Sequence, residues 1–257
     1  MQNLIKKTPV LILCGGKGSR LSEETLITPK PLIKIDKYPI LIHIMKIYLK
    51  YGFKKFILLT GYKHKLIKDY FVRKFPKEIK EKPIILKNNK IYFKNLEVQI
   101  LNTGLNTLTG ARVLKSKKVI RNDKFFALTY GDGLANINLK KVFTNFYKKN
   151  FDGVMCATNP EEKFGNLKIK KNVVIDFKEK KKDPKKWVNI GFFLFKNTFF
   201  KYLDNKTMLE DKPLKRITKR KKLMVYKHYG KYNCMDTIYE KKIIQNMIKQ
   251  NLKSPWH

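Results

Sequence analysis

The sequence predicts an α/β fold whose central sheet is mostly parallel. Two apolar runs, Pro9–Cys14 and Lys55–Thr60, have the length and composition of buried strands. Residues 40–51 between them carry apolar side chains at helical spacing, and residues 63–75 repeat that spacing after the second run. Strand, helix, strand and helix in this order are the opening of a doubly wound sheet.

The remainder of the chain predicts further elements of both kinds. Strands are expected at residues 91–93, Glu97–Asn102, Phe125–Tyr130, Gly153–Thr158, 166–169, Val173–Lys178, 188–195 and Leu223–His228. Helices are expected at residues 109–119, 139–149, 206–222 and 239–252, the first with Thr109 as its N-cap. We expect a single domain over residues 1–257, in which residues 161–257 add a smaller lobe of mixed strands and helices to residues 1–160.

The net charge of +38 would suit a nucleic-acid-binding protein or an anionic membrane surface. However, 52 of the 58 basic residues are lysine, because arginine occurs only six times. Arginine is the preferred residue for bidentate contacts to phosphate and guanine. We therefore predict no specific nucleic-acid partner, and a basic nucleic-acid-binding protein remains the alternative from another functional class.

Cysteine usage and hydropathy indicate a cytoplasmic protein. Cys14, Cys156 and Cys234 are odd in number and far apart, which is typical of a reducing compartment. The apolar run near the start leads directly into Gly15, so it is interpreted as a strand rather than a signal peptide. No apolar run is long enough to span a bilayer, and no membrane partner is predicted.

A basic, glycine-rich loop follows the first strand. Gly15, Gly16 and Gly18 allow the backbone to approach phosphate groups, and Lys17 and Arg20 supply positive charge. The loop is not a dinucleotide fingerprint, which would need glycine where Leu21 stands. It is not a P-loop either, because Arg20 interrupts the Gly-Lys-Ser/Thr pattern. On the glycines alone, a simple strand-to-helix turn is equally compatible.

Three further residues favour a phosphate site. Pro29 and Pro31 stiffen the backbone around Lys30, which could therefore return to the same phosphates. Asp132 follows a predicted strand in a Gly-Asp-Gly turn, where it could bind a metal or cap its own backbone. Asp236 precedes a predicted helix, where it could join Asp132 at a metal or serve as a helix N-cap.

These motifs together resemble the signature of the sugar-phosphate nucleotidyltransferases. The likeness rests on residues 14–21 with Pro29-Lys30-Pro31, and it continues through residues 39–46, 109–112, 130–133, 164–165 and 235–237. The insert of residues 21–25, Leu-Ser-Glu-Glu-Thr, is similar to that of the glucose-1-phosphate cytidylyltransferases. Those enzymes form CDP-glucose from CTP and glucose 1-phosphate, so the resemblance implies these two small molecules as substrates.

The resemblance also implies a Rossmann-like nucleotidyltransferase fold, Mg²⁺ as cofactor and specific residue roles. Residues 1–160 would bind the nucleotide and residues 161–257 the sugar phosphate, in a homo-oligomer that serves nucleotide-sugar and polysaccharide biosynthesis. Arg20, Lys30 and Lys180 would be catalytic, and Asp132 and Asp236 would hold the metal. The nucleotide would be bound by Leu13, Gly15, Gly16, Ser19, Arg20, Lys30, Thr109, Gly110 and Arg112, and the sugar phosphate by Glu179, Lys180 and Asn189.

The chain departs from this family pattern near the expected sugar site. Lys181 stands where proline is usual, and Ile190 stands where glycine is usual. Ile190 is expected to add bulk beside the sugar pocket, so a different sugar 1-phosphate is the first alternative substrate. A different nucleotide is the second alternative, and both leave the reaction class unchanged.

Overall fold

A computed structural model of the chain describes residues 1–86, 88–160, 166–178, 185–251 and 256. Its strands are β1 (Pro9–Cys14), β2 (Lys34–Ile35), β3 (Tyr38–Pro39), β4 (Lys55–Thr60), β5 (Ile84–Leu86), β6 (Lys90–Tyr92), β7 (Glu97–Asn102), β8 (Phe125–Tyr130), β9 (Gly133–Ala135), β10 (Gly153–Thr158), β11 (Asn166–Lys170), β12 (Val173–Lys178), β13 (Val188–Lys196), β14 (Leu223–His228) and β15 (Tyr232–Cys234). The helices are α1 (Gln2–Lys7), α2 (Ser22–Thr25), α3 (Ile40–Leu49), α4 (His64–Asp69), α5 (Phe75–Ile79), α6 (Thr109–Lys115), α7 (Leu139–Phe146), α8 (Lys212–Lys219) and α9 (Ile238–Asn251).

Nine strands form the central sheet in the order β14-β10-β13-β8-β1-β4-β7-β6-β5. Every strand except β6 and β13 runs in the same direction, which confirms the predicted mostly parallel sheet. The apolar runs that predicted β1 and β4 lie side by side near its centre and are almost wholly buried. The carboxyl ends of β1, β4 and β8 consequently meet at one edge, where ligands bind in sheets of this type.

Helices cover both faces of the sheet. One face packs against α3, α7 and α9 in a large core that includes Ile44, Phe143 and Ile244. The other face packs against α6 and α8 in a smaller core that includes Val113 and Ile217. Burial of these two apolar layers is the main favourable term in the folding of such a domain.

Three short strand pairs lie outside the central sheet. They are β2–β3, β9–β15 and β11–β12, all antiparallel. The β9–β15 pair joins chain segments that are about a hundred residues apart, and it lies at the carboxyl edge next to β8. The β11–β12 hairpin is different, because its apolar side chains Leu167, Ile169 and Phe177 are each more than half exposed.

Two predictions about helices are wrong in detail. Residues 206–222 were expected to form one helix, but α8 spans only Lys212–Lys219 because Pro213 suits the first turn of a helix rather than its interior. Thr109 was expected to be an N-cap, but it is the first residue of α6 and Leu108 occupies the cap position. Among the helices that the structure describes, none has both the length and the apolar character that crossing a membrane requires.

Candidate active site

Two aspartates come together at the carboxyl edge because one short strand pair carries both of them. Asp132 immediately precedes β9, and Asp236 lies two residues after the end of β15. The antiparallel register pairs Gly133 with Cys234, and the amide of Met235 donates to the carbonyl of Asp132 at 2.9 Å. The fold therefore places side by side two carboxylates that the sequence could only suggest as a pair.

Lys30 lies between these carboxylates. Its ammonium is 2.6 Å from Asp132 Oδ2 and 2.6 Å from Asp236 Oδ1, and only 14% of the side chain is exposed. Residues Lys30–Leu32 form a short 3₁₀ turn, with Pro29 before Lys30 and Pro31 after it. Arg20 reaches the same centre from the glycine loop, with Nη1 2.9 Å from Asp236 Oδ2.

Lys30 and Asp236 each stabilise the charged form of the other. Burial opposes a charge on Lys30, but the neighbouring carboxylates of Asp132 and Asp236 raise the pKa of the ammonium above its ordinary value. Burial likewise opposes ionisation of Asp236, yet the hydrogen bond and charge of Lys30, with the charge of Arg20, hold the pKa of that carboxyl below its usual range. At neutral pH Lys30 and Asp236 are therefore both charged.

The helix that follows Asp236 does not use its carboxylate as a cap. The amide of Glu240 donates to Thr237 Oγ1 at 3.2 Å, and Glu240 Oε2 accepts from the amides of Asp236 and Thr237 at 2.8 and 3.0 Å. This is a capping box, in which Thr237 is the N-cap of α9. The capping alternative for Asp236 is therefore wrong, and its carboxylate faces Lys30 and Arg20.

The donor set of this cluster fits a divalent cation. Ligand atoms of Asp132, Cys234 and Asp236 all lie within 4.8 Å of one another. Mg²⁺ prefers oxygen ligands and is commonly held by one or two carboxylates together with substrate phosphates. Burial, followed by the charges of Asp132 and Asp236, raises the pKa of the Cys234 thiol, so at neutral pH this residue is a neutral thiol rather than a third anion.

Arg112 contacts the glycine loop from its buried side. The guanidinium is buried and donates from Nη2 to the carbonyl of Gly15 at 3.0 Å. Tyr62 N donates to the same carbonyl at 3.2 Å. Gly15 is buried, whereas Gly16 and Ser19 are exposed, so the tip of the loop faces solvent at the carboxyl edge.

The predicted nucleotide residues Thr109 and Gly110 begin α6 and pack against the segment before α8. A Cβ at Gly110 would come within 2.7 Å of the carbonyl of Thr207, which explains the need for glycine. Thr109 Oγ1 accepts from the amide of Leu209 at 2.8 Å and donates to Glu210 Oε2 at 3.1 Å. This contact brings a carboxylate to the expected nucleotide residues.

The same carboxylate connects to the expected sugar residue. The Tyr130 hydroxyl donates a short hydrogen bond to Glu210 Oε1, and the side chain of Asn189 lies close to it. Burial and the Glu210 carboxylate raise the pKa of this hydroxyl, which keeps it protonated as a donor. Asn189 Oδ1 in turn accepts from the amide of Gly191 at 2.8 Å. Glu210 thus lies between the two groups of predicted substrate residues.

The neighbour of Asn189 faces the other way. Ile190 is buried in the larger core, whereas Asn189 contacts Tyr130 on the opposite side of β13. Side chains alternate between the faces of a strand, so the bulk of Ile190 fills the core rather than the side on which Asn189 lies. Glu179, Lys180 and Lys181 lie outside the described residues.

The insert after Leu21 connects the loop to α9 and to the segment after β4. Residues Ser22–Thr25 form α2, from which Glu24 makes an ion pair with Lys241 of α9 at 2.6 Å. Thr25 Oγ1 donates to the carbonyl of Leu21 at 3.0 Å, and its own carbonyl accepts from the Tyr62 hydroxyl at 3.1 Å. The insert therefore supports the outer side of the glycine loop.

Two residues of this edge gave no functional signal in the sequence. Glu210 lies in a charge-rich segment that was interpreted as a helix, and only the fold shows that it faces Thr109 and Tyr130. Cys234 belongs to no CxxC pair in the sequence, and the β9–β15 pairing places it beside Asp132. Leu13, by contrast, was predicted from the resemblance, and its carbonyl lies against Gly131.

Comparison with known proteins places the chain in one sequence family. The family profile described as "Nucleotidyl transferase" matches residues 9–251. A Bacillus subtilis protein named "Probable glucose-1-phosphate cytidylyltransferase" is 41% identical over 235 residues, covering 88% of this chain and 91% of that protein. The glucose-1-phosphate cytidylyltransferase of Salmonella typhimurium is 34% identical over 252 residues, covering 96% of this chain and 97% of that protein.

Solved structures agree at the level of the fold. A UDP-glucose pyrophosphorylase complexed with UDP-glucose superimposes with a TM-score of 0.71 at 17% identity, covering 95% of this chain and 98% of that one. HddC from Yersinia pseudotuberculosis superimposes with a TM-score of 0.68 at 20% identity, covering 94% and 99% of the two chains. These matches confirm the predicted Rossmann-like fold.

Proposed function

The chain belongs to the nucleotidyl transferase family, and from that premise we propose that it transfers CMP from CTP to glucose 1-phosphate, releasing CDP-glucose and pyrophosphate. The observation that carries the reaction class is the convergence of Lys30 and Arg20 on Asp132 and Asp236 beside a glycine loop. The choice of cytidine and glucose is supported by the two relatives named for that reaction, which match nearly end to end.

The reaction brings two polyanions together, so charge neutralisation is the main task of the site. A phosphate oxygen of glucose 1-phosphate attacks the α-phosphorus of CTP, and the bond between that phosphorus and the β-phosphate oxygen breaks. The electron pair leaves with pyrophosphate. A phosphate monoester is already ionised at neutral pH, so no general base is needed, and positioning and electrostatics supply the catalysis.

The residues of the cluster take distinct parts in this proposal. Arg20 is 73% exposed and extends from the glycine loop, so it is free to turn from Asp236 to the β- and γ-phosphates of CTP. Lys30 is held more rigidly, and its ammonium neutralises charge that develops on the leaving pyrophosphate. The Gly16 amide lies at the exposed tip of the loop, where it can donate to a phosphate oxygen.

Asp132 and Asp236 would hold Mg²⁺, which when bound neutralises the negative charge of the phosphates. Their carboxylates already stand within 2.6 Å of a cationic group, the ammonium of Lys30. A cation at this position is therefore compatible with the local charge. Lys30 and Arg20 lower the pKa of Asp236 and so favour its ionised form when no nucleotide is present.

The sugar side of the proposal rests on Asn189 and on Glu179 and Lys180, whose roles follow from the resemblance. Lys180 would align the acceptor phosphate for in-line attack. Because the Ile190 side chain is buried in the core, its bulk gives no reason to replace glucose by another sugar. A different sugar 1-phosphate or a different nucleotide is an outcome that the substrate panel below would reveal.

We also propose a cytoplasmic homo-oligomer that binds small molecules and no specific nucleic acid, with residues 1–160 and 161–257 forming the nucleotide and sugar-phosphate halves. Free thiols at Cys14, Cys156 and Cys234 support a reducing compartment. The exposed apolar side chains of the β11–β12 hairpin support self-association, since such surfaces are normally covered. Analytical ultracentrifugation at micromolar concentration would show a single species heavier than the monomer.

A nucleotide panel tests the proposed reaction. The enzyme is incubated with glucose 1-phosphate, Mg²⁺ and one of CTP, UTP, dTTP, ATP or GTP, and pyrophosphate release is measured. We expect turnover with CTP at a rate well above the others. Turnover with UTP or dTTP but not with CTP would refute the cytidine assignment, and a panel of sugar 1-phosphates would test glucose in the same way.

A further inference from the structure

Arg112 is surrounded by acceptors of its own chain. Nη1 donates to the carbonyl of Thr60 at 3.2 Å, to Thr103 Oγ1 at 2.5 Å and to the carbonyl of Gly104 at 2.7 Å. Nη2 donates to the carbonyls of Gly15 and Leu105, both at 3.0 Å. The four N–H groups of the two terminal nitrogens are therefore all directed at acceptors within the protein.

The position of the guanidinium differs from that of an arginine that binds phosphate. Arg112 is only 4% exposed, and among the residues that the structure describes no carboxylate forms an ion pair with it. Burial lowers the pKa of the guanidinium from its ordinary value, while carbonyl dipoles supply the compensating contacts. A phosphate could reach it only if these internal hydrogen bonds broke, and the carbonyls of Gly104 and Leu105 would then lose the donors that Arg112 supplies.

Two glycines are required by this arrangement. A Cβ at Gly15, directly after β1, would overlap the guanidinium. A Cβ at Gly61, directly after β4, would overlap both the guanidinium and the carbonyl of Gly104. Arg112 thus fills the space between the carboxyl ends of two adjacent parallel strands, and it approaches both backbones as closely as glycine allows. Gly61 gave no functional signal in the sequence, and the packing of Arg112 explains its identity.

The contact with Gly15 determines where the next amide points. In a trans peptide the carbonyl of one residue and the N–H of the next point in opposite directions. The Gly15 carbonyl is directed inward by two donors, Arg112 Nη2 and the amide of Tyr62. The N–H of Gly16 must then point outward, and Gly16 is exposed with open space around it.

We infer that Arg112 is a positioning residue, which acts on the nucleotide only through the Gly15–Gly16 peptide and orients the Gly16 N–H toward the bound phosphates. This inference rests on the proposed function for the identity of the nucleotide. It assigns different tasks to the two arginines near the loop. Arg20 contacts phosphate directly, and Arg112 keeps the backbone in the conformation that does so.

The two roles predict different patterns of nucleotide affinity. A ligand of the β- and γ-phosphates contributes more to CTP binding than to CDP or CMP binding. A loop amide directed at the α-phosphate, which all three nucleotides share, weakens all three by a common factor when it is misplaced. The test therefore compares Arg112→Ala with the matched control Arg20→Ala. Dissociation constants for CTP, CDP and CMP are measured for both variants, together with the melting temperature without nucleotide.

We expect Arg112→Ala to weaken all three nucleotides by a common factor of about tenfold or more and to lower the melting temperature of the free protein. Arg20→Ala should weaken CTP more than CMP and leave the melting temperature unchanged. Millimolar guanidinium, far below denaturing concentrations, should restore both the affinity and the melting temperature of Arg112→Ala, with the same half-saturating concentration. Ethylammonium, which lacks the planar fork, should restore neither.

Gly61→Ala provides a second variant in case Arg112→Ala fails to fold. It retains Arg112, but its Cβ would meet both the guanidinium and the carbonyl of Gly104 to which Arg112 donates, so it should also weaken CTP, CDP and CMP by a common factor. The inference is overturned if the loss of nucleotide affinity in Arg112→Ala increases from CMP to CDP to CTP while the melting temperature is unchanged. It is equally overturned if Gly61→Ala binds all three nucleotides normally.

Failure of the inference is distinguishable from failure of the proposed function. If the wild-type protein binds no cytidine nucleotide, the proposed function fails. The series is then repeated with the nucleotide that the panel identifies, and the comparison of tri-, di- and monophosphate still decides the role of Arg112.

Discussion

The two cationic regions of the carboxyl edge are built on opposite principles. Beneath the glycine loop, Arg112 is fully enclosed and its donors are committed to fixed carbonyls. A few residues away along the edge, Lys30 and Arg20 contact the carboxylates of Asp132 and Asp236. In the first region, the terminal nitrogens of Arg112 already donate to acceptors within the protein. In the second region, the charged side chains can change partners when a polyanion and a divalent cation bind.

This difference shows how one site can combine a rigid backbone with charged side chains that change partners when substrate binds. Backbone donors are useful only if they are already oriented, since reorienting them during the reaction would raise the barrier. Charged side chains must instead remain ionised before substrate arrives and change partners when it binds. The predictions below separate these two requirements, beginning with the largest expected effect.

Asp132→Asn should have the largest effect on activity. The substitution removes one of the two carboxylates of the cluster and leaves Lys30 with Asp236 as its only carboxylate there. We expect kcat for pyrophosphate release to fall by about a hundredfold or more, with the circular dichroism spectrum unchanged. Asp69→Asn, which removes an exposed ion pair with Arg73, is the matched control and should retain normal activity. Near-normal turnover by Asp132→Asn would refute the central role of this cluster.

Arg20→Met should have the next largest effect. It removes the phosphate contact proposed for Arg20 but little packing, because most of the side chain is exposed. We expect the KM for CTP to rise by roughly tenfold, with the KM for glucose 1-phosphate nearly unchanged. Initial-rate kinetics with each substrate varied in turn would measure both constants. A larger rise in the KM for glucose 1-phosphate than in the KM for CTP would assign Arg20 to the binding of the sugar phosphate instead.

Glu210→Gln should have a smaller effect that reaches both substrates. The carboxylate receives hydrogen bonds from Thr109 and Tyr130, and an amide retains the shape but accepts less strongly. We expect kcat/KM to fall by about fivefold for each substrate, because both groups of predicted substrate residues lose the same neighbour. Tyr130→Phe removes only one of the two contacts and should reproduce only part of the loss. An effect confined to one substrate would contradict a position between the two subsites.

Asp152→Asn should leave activity unchanged and reduce stability. Burial opposes ionisation of Asp152, but hydrogen bonds from Tyr202, Thr198 and Lys201 lower its pKa from 3.8 to about 2. Because the folded-state pKa is lowered, the contribution is present above the ordinary value and is lost as pH falls toward 2. The shift corresponds to about 2 kcal/mol at neutral pH.

Urea unfolding at several pH values would test this contribution. The stability difference between wild type and Asp152→Asn should be largest near pH 7 and shrink between pH 4 and pH 2. A difference that stays constant over this range would show that the carboxylate charge does not matter. A loss of catalytic activity would contradict the separation of this residue from the site.

The sequence predicted those parts of the fold that local patterns encode. Continuous apolar runs identified β1 and β4, and glycine and proline at characteristic positions identified the loop and the rigid segment around Lys30. The start of α8 had a local signal that the prediction overlooked, because Pro213 suits the first turn of a helix. The packing of the chain before Pro213 against Gly110 is a tertiary contact and had no such signal.

The site was predictable as a set of residues but not as a set of contacts. Asp132 and Asp236 were expected to pair, but the reason is the β9–β15 register, which joins segments with no local signal for pairing. Arg112 was expected near the nucleotide, but no pattern in the sequence distinguishes a buried guanidinium from an exposed one. Glu210 was missed because a glutamate in a charge-rich segment is indistinguishable from a solvated surface residue until its neighbours are known.

The most direct test of the account follows the phosphorus atoms of CTP. The enzyme is incubated with glucose 1-phosphate, Mg²⁺ and CTP that is labelled with ³²P either at the α- or at the γ-phosphate, and the products are separated by chromatography. We expect α-label in CDP-glucose and γ-label in pyrophosphate. Transfer of γ-label to the sugar phosphate, or release of α-label only as free CMP, would contradict nucleotidyl transfer at this site.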